Sequence, residues 1–249
     1  MSNFVTLALI SICVGMLVGA AGIGGFFMAP ALVLVTGVGM HQGMATALFT
    51  FIFTGLIGTH YFHKKGTIDW RLARPLCLGA ALTGFGGAWI GTMLSATVLS
   101  MLLGVVIMAA GIYAAAARGG RQTLLLPQAG RGQWLALAGV GAASGFLSGL
   151  TGIGGPALSV PLMVLLGFSV LTAIGIGQVL QIVGALSGTL ANLHFGHIDY
   201  RLALFVTVFE VLGVLLGAYI THRVDERVVR RFVGALCLVA GSVFIWRAL

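Results

Sequence analysis

Polar positions in this chain act as punctuation between long apolar runs. The runs read as segments 4–21, 26–40, 43–62, 72–94 and 97–117. After the linker RGGRQTLLLPQAGRGQ (118–133) come 134–151, 156–168, 170–193, 202–221 and 228–247. Most approach the ~20 residues that a membrane-spanning helix needs. The polar–apolar alternation of a membrane β-strand is missing, so the runs predict helices. The second segment of each set of five is short and contains a proline, Pro30 or Pro161. Each of these follows a glycine cluster, Gly22-Ile23-Gly24-Gly25 or Gly152-Ile153-Gly154-Gly155.

The two clusters lie 130 positions apart, and the same offset works elsewhere without a gap. It carries Gly15 onto Gly145, Gly19 onto Gly149, and Gly58-Thr59 onto Gly188-Thr189. It also carries GTIDWRLA (66–73) onto GHIDYRLA (196–203). Glycine is common in this chain, so single matches carry little weight. A six-residue ID[WY]RLA match in phase with GIGG is hard to produce by chance. The pattern predicts a tandem duplication, with a first repeat at 1–117, a cytoplasmic linker at 118–133 and a second repeat at 134–249. Residues 1–21 could pass for a signal peptide, but they lack its basic start and align with 131–151, so they are expected in the mature fold.

Charge then sets an orientation. The loop at 63–74 carries Lys64, Lys65, Arg71 and Arg74, whereas its counterpart at 193–204 carries only Arg201 beside Asp199. The turn at 92–97 is uncharged, and its counterpart at 222–231 holds Arg223, Arg227, Arg230 and Arg231. Equivalent loops of opposite character are what the positive-inside rule requires of inverted copies. With the basic loops in the cytoplasm, only Arg201 and Arg247 of the 13 Lys and Arg fall outside. The expected location is the cell (inner) membrane, crossed several times, with both ends external.

Composition agrees and excludes other classes. Hydrophobic residues make up 59% of the 249 and charged residues 7%, against about 25% in soluble domains. The lipid bilayer is therefore the expected solvent. The net charge of +8 reflects basic loops rather than a nucleic-acid partner, since no soluble domain presents a basic face. Cys13, Cys77 and Cys237 lie within apolar runs with no CxxC and no neighbouring His, so no metal is expected. No cofactor is expected either. Gly22-x-Gly24 lacks the third glycine of a dinucleotide fingerprint and has no βαβ context.

The paired breaks suggest a function. Inverted-repeat transporters hold substrate near the midplane, where interrupted helices point their ends at it. Glycines let the backbone leave helical geometry, and the helix that follows offers unpaired N–H groups and a positive dipole end. Pro156, just after the second cluster, suits a first helical turn. Two such ends, one per repeat, would form a site for an anion. The simpler reading is that small residues only allow close helix packing in lipid.

GIGG with a proline close behind, a Gly-Thr-x-x helix end, and then G-x-[IV]-D-[WY]-x-x-A, all repeated, resembles the TauE/SafE sulfite exporter family over nearly the whole chain. The pairs Asp69-Trp70 and Asp199-Tyr200 carry the most specific part of that resemblance. It implies an anion permease for sulfite, sulfonates or related sulfur oxyanions. The family usually has three successive glycines, where this chain has Gly24-Gly25-Phe26 and Gly154-Gly155-Pro156.

Other polar residues extend the candidate site. Gln178 and Gln181 share one face of their segment, and Thr46, Thr50 and Thr54 share one face of theirs. Each set could complete a polar site, or serve only as interhelical glue and back-bonding to the preceding turn. Glu210 is the one carboxylate well inside a span, and its equivalent is Ala80. It is a candidate proton relay or a buried acid bonded to a neighbour. Asp69 and Asp199 are expected to cap helices, and His60 and Asn192 to lie at the interface.

The expected protein is an all-α polytopic membrane protein of two inverted repeats, with about 8–10 membrane helices counting short or re-entrant ones. It is expected to be a transporter, not an enzyme, exporting a small sulfur-containing anion by alternating access. Substrate-binding candidates are Gly22, Ile23, Gly24, Gly25, Gly152, Ile153, Gly154, Gly155, Pro156, Gln178, Gln181 and Thr50. A passive anion channel and proton-coupled uptake of the same anions are the alternatives, and a homodimer is left open.

Overall fold

The computed structural model describes residues 2–22, 24–116, 130–195 and 197–223, with positions 235, 238, 239 and 242. Its helices are α1 (Ser2–Ala21), α2 (Met28–Thr36), α3 (Met40–Lys64), α4 (Trp70–Met93), α5 (Ala96–Ala116), α6 (Arg131–Thr151), α7 (Pro156–Leu165), α8 (Val170–Phe195) and α9 (Tyr200–Thr221). A 3-10 turn, Gly25–Phe27, leads into α2. No strand occurs among the described residues. Helices α1, α3, α4, α6, α8 and α9 are each long and apolar enough to cross a membrane. The tenth expected segment, 228–247, lies almost wholly outside the described residues.

The chain ends its helices where local chemistry requires. Asp69 accepts a hydrogen bond from the Arg71 N–H at 2.9 Å, and Asp199 accepts from those of Arg201 and Leu202 at 3.1 and 3.0 Å. Both are N-caps, as the sequence predicts. Helix α2 is shorter than the predicted 26–40. Gly37 takes the left-handed conformation (φ +74°) and donates to the Val33 carbonyl at 3.0 Å, which closes the helix at Thr36.

Small residues set the packing. A Cβ on Gly15 or Gly19 of α1 would overlap the backbone carbonyl of Glu210 or Val214 of α9. A Cβ on Gly141 or Gly149 of α6 would likewise meet the carbonyl of Leu76 or Gly84 of α4. Backbones come this close only where glycine allows it, as in lipid-embedded helix pairs generally. Hydroxyls add cross-links: Thr221 donates to the Ala20 carbonyl at 2.6 Å, and Thr83 to that of Ala142 at 2.7 Å.

The same contacts give helix directions. Helix α1 rises alongside α9, and α6 alongside α4, with residue numbers increasing together. Helix α3 runs with α9, since Thr46 accepts from the Asp199 N–H at one end and Phe62 stacks on His222 at the other. Helix α8 runs against α3, with Gly188 facing Leu48 and Gly58 facing Gln178. So α1, α3 and α9 run one way, and α4, α6 and α8 the other. Because α6 and α8 are co-directional, α7 must carry the chain back between them. Its 10 residues cover only about 15 Å of a ~30 Å hydrocarbon layer, so it is a return arm rather than a crossing. The 9-residue α2 stands in the same relation to α1 and α3. Lys64, Lys65, Arg71, Arg74, Arg131 and Arg223 all fall at one end of the bundle, and Arg201 at the other.

Candidate functional site

Both glycine clusters lie where a long helix ends and a return arm begins. Gly22 and Gly152 take φ +69° and +67° and donate to Val18 and Ser148 carbonyls at 3.0 and 2.9 Å, ending α1 and α6. The loops then differ. Gly154 has φ +87°, a conformation that glycine tolerates best, whereas Gly24 has φ −110°. Pro156 opens α7 as its first residue, and Phe26 stands in the equivalent place.

The loops converge. A Cβ on Gly25 would strike the Ile153 carbonyl oxygen. The ring of Phe51, fully buried in α3, lies against both loops, 3.0 Å from the Cβ position of Gly25 and 3.3 Å from that of Gly154. Gly155 faces Leu180 of α8. The structure thus brings together Gly25, Ile153, Gly154 and Gly155, with Gly22 against Val160 of α7, Gly24 against α1 and Gly152 against Met44. Ile23 lies outside the described residues.

Buried side chains surround this junction. Gln178 donates to the Val18 carbonyl at 3.1 Å, which ties α8 to the last turn of α1. Gln181 donates to the Thr54 hydroxyl at 2.9 Å. Thr54 in turn donates to the Thr50 carbonyl at 3.4 Å, and Thr50 to that of Ala47 at 2.8 Å. The Thr50 hydroxyl neighbours the Glu210 carboxyl. A polar line therefore runs from Gln181 through Thr54 and Thr50 to Glu210, across α8, α3 and α9. Several buried atoms have no hydrogen-bond partner: Gln178 Oε1, both Glu210 carboxyl oxygens, and the hydroxyls of Ser144, Ser148 and Ser159. Folded interiors leave few such groups unpaired, and burying a charge there is costly. The serine hydroxyls can donate to a guest, whereas Gln178 Oε1 and an ionised Glu210 carboxyl can only accept.

Two cavities open at opposite ends of the bundle. One, of about 760 Å³, is walled by Gly39, His41 and Gln42 at the start of α3, Thr92 at the end of α4, Asn192 in α8, and His197. It reaches inward to Met44, Ala88, Gly149 and Leu150. The other, of about 620 Å³, is lined by residues 66–71 and by Ser169, Leu171 and Thr172. An offset of 130 carries much of the first lining onto the second: Gly39 to Ser169, His41 to Leu171, Gln42 to Thr172, His197 to Thr67 and Ile198 to Ile68. The second cavity has no such inward extension. The positions equivalent to Asn192 and Ala88 are Phe62 and Ala218, both fully buried there.

Comparison with known proteins identifies what carries this arrangement. The profile of the sulfite exporter TauE/SafE family matches residues 7–244. The chain belongs to that family. Among its relatives, the probable membrane transporter protein YdhB of Bacillus subtilis is 25% identical over 96% of this chain and 98% of its own. The probable membrane transporter protein MJ0441 of Methanocaldococcus jannaschii is 25% identical over 96% of each chain. A probable membrane transporter protein of Xylella fastidiosa (strain 9a5c) is 26% identical over 94% of this chain and 92% of its own. No solved structure matches. This TauE/SafE protein is accordingly a multi-pass membrane transporter.

Within this family member, sequence reasoning missed several residues. Phe51 reads as an ordinary core residue, yet it occupies the position equivalent to Gln181 and meets both loops. Ser144 and Ser148, one turn apart just before the second break, carry a signal that passed unread. Asn192 was expected at the interface. It lies in the last turn of α8, is nine-tenths buried, and faces the larger cavity. His60 is exposed.

Proposed function

We propose that this protein exports sulfite or a related small sulfur oxyanion across the inner membrane, by alternating access between two inverted repeats. The observation that carries the reading is the meeting of the two glycine loops at Phe51, partway along the membrane-length helices. The loops lie where α1 and α6 stop, and α6 runs opposite to α1. Elements 130 positions apart have nearly equal bounds, from α1 and α6 through α4 and α9. Both features support two halves of opposite orientation, 1–117 and 134–249, joined by the linker 118–133.

The anion would be held between the loops by backbone N–H groups at the starts of α2 and α7, aided by Gln178, Gln181 and Thr50. The paired cavities support alternation, one reaching deep while its equivalent stays shallow. With the Lys64 to Arg74 end placed in the cytoplasm by the positive-inside rule, the deeper cavity faces outward.

Energetics favour the outward direction. The membrane potential contributes about 2.3 kcal/mol per charge per 100 mV, so a dianion leaving a cell at roughly −150 mV gains on the order of 7 kcal/mol. Export then needs no coupling ion. Glu210 favours a second reading, proton-coupled uptake of the same anions, because a buried carboxyl on the polar line can carry a proton. The test is uptake of radiolabelled sulfite into vesicles of known orientation, with the potential set by a potassium gradient. Saturable flux that follows the potential in the export direction supports the first reading. Flux that requires a proton gradient supports the second. No flux of any sulfur oxyanion removes both.

A further inference from the structure

We infer that the larger cavity is a second anion site, separate from the glycine loops, that receives a small tetrahedral or pyramidal oxyanion at the mouth of the protein. Three observations meet there. The first turn of α3 forms one wall, and Gly39 supplies no side-chain cap. The first N–H groups of a helix have no partner within it, and the 25-residue α3 directs its positive dipole end into this space. Asn192, from α8, is only 7% exposed and makes no hydrogen bond among the described residues, although it lines the cavity. Its amide opens onto the cavity, where a guest or water can complete it. Finally, Gln42 and His197 add hydrogen-bonding side chains, while the His41 Nε2 and the Thr92 hydroxyl are engaged by the Leu94 and Trp89 carbonyls at 3.0 and 2.7 Å, and no carboxylate is among the described lining residues.

The equivalent place at the other end is built differently. Ser169 caps α8, its hydroxyl accepting from the Thr172 N–H at 3.2 Å. Asp69 and Arg71 line that cavity, and Phe62 fills the position of Asn192. The first helix N–H groups and the amide that would hold an oxyanion are thus capped or replaced at one end and left open at the other.

The site is tested without assuming transport or sidedness. Thr92→Cys is introduced into detergent-purified full-length protein in which Cys13, Cys77 and Cys237 are changed to Ser. Its labelling by a maleimide is timed in sulfate and in gluconate at equal ionic strength. By mass action, sulfate at ten times its dissociation constant should slow labelling about tenfold. Adding Asn192→Leu, or separately Gln42→Ala, should restore most of the rate. Equal rates in sulfate and gluconate would overturn the inference. So would slowing that persists undiminished in both double variants. Sulfite flux is read separately on the same variants. Flux without protection leaves the transport reading standing and removes this site, while protection without flux does the reverse.

Discussion

The Phe62 ring packs against the His222 imidazole with centroids 5.5 Å apart, joining the last turn of α3 to the end of α9. Tyr61 meets the same imidazole at 5.7 Å. Shifted by 130 positions, Phe62 becomes Asn192 and His222 becomes Thr92, both of which line the open cavity at the opposite end. One end is filled by rings where the other holds a small amide and a hydroxyl.

Changing Phe62→Asn should therefore open the end where α3 meets α9. The readout is the labelling rate of Ala218→Cys, which lies buried beside this contact. It should rise severalfold in the Phe62→Asn background. Labelling of Thr92→Cys at the far end should fall if the two ends exchange states. An unchanged Ala218→Cys rate would mean that the Phe62 contact is not what closes this end.

Helix packing gives a prediction about stability alone. Gly15→Ala places a methyl group on the Glu210 carbonyl, and Gly145→Ala places one on the Ala80 backbone. Overpacking of this kind costs about 1–3 kcal/mol. Gly139→Ala meets nothing within 4 Å and should be neutral or raise stability by up to ~1 kcal/mol through helix propensity. Thermal unfolding in detergent should order the three with Gly139→Ala highest. If all three melt together, the glycines do not set helix spacing.

Much of this architecture is legible in the sequence, and the limits are physical. Apolar runs predict the long helices because burial in lipid demands length and composition, which are local properties. Asp69 and Asp199 are readable as caps because a cap needs only neighbouring N–H groups. The return arms are readable as short, but not as arms that turn back. That depends on α6 and α8 running the same way, which only tertiary contacts such as Gly149 against Gly84 reveal. Phe51 is invisible as a junction residue because its partners, Gly25 and Gly154, lie far from it in sequence. The burial of Asn192 is not legible because it depends on residues of α3, α4 and α6 that share its cavity and lie far from it in sequence.

The glutamines separate function from fold. Gln178→Leu removes the bond to Val18, a loss of about 1 kcal/mol, but it also removes the unpartnered Oε1 atom, whose burial is itself unfavourable. The two changes offset, so the melting temperature should shift little. If the second Nε2–H of Gln178 donates to substrate, sulfite flux should nevertheless fall by about tenfold or more, the loss of one hydrogen bond to an anion. A large fall in stability with flux per folded molecule unchanged would assign Gln178 to helix bonding alone.

Glu210 allows the sharpest separation of mechanisms. Its carboxyl is fully buried, has the Thr50 hydroxyl as its neighbour, and sits at the end of the polar line from Gln181. Glu210→Gln preserves shape and hydrogen-bonding capacity while removing the ability to exchange a proton. If the protein is a potential-driven exporter, the variant should keep its flux within about a factor of two and keep its response to voltage. If protons are coupled, an imposed pH gradient should drive accumulation in wild type and fail to do so in Glu210→Gln. Sulfite–sulfite exchange at equal concentrations would persist in the variant, because exchange needs only loaded carriers moving in both directions. Glu210→Ala provides a control for packing, since Ala80 fills the equivalent position and is fully buried there. Loss of exchange as well as accumulation in Glu210→Gln would place the carboxyl in substrate binding rather than in proton transfer.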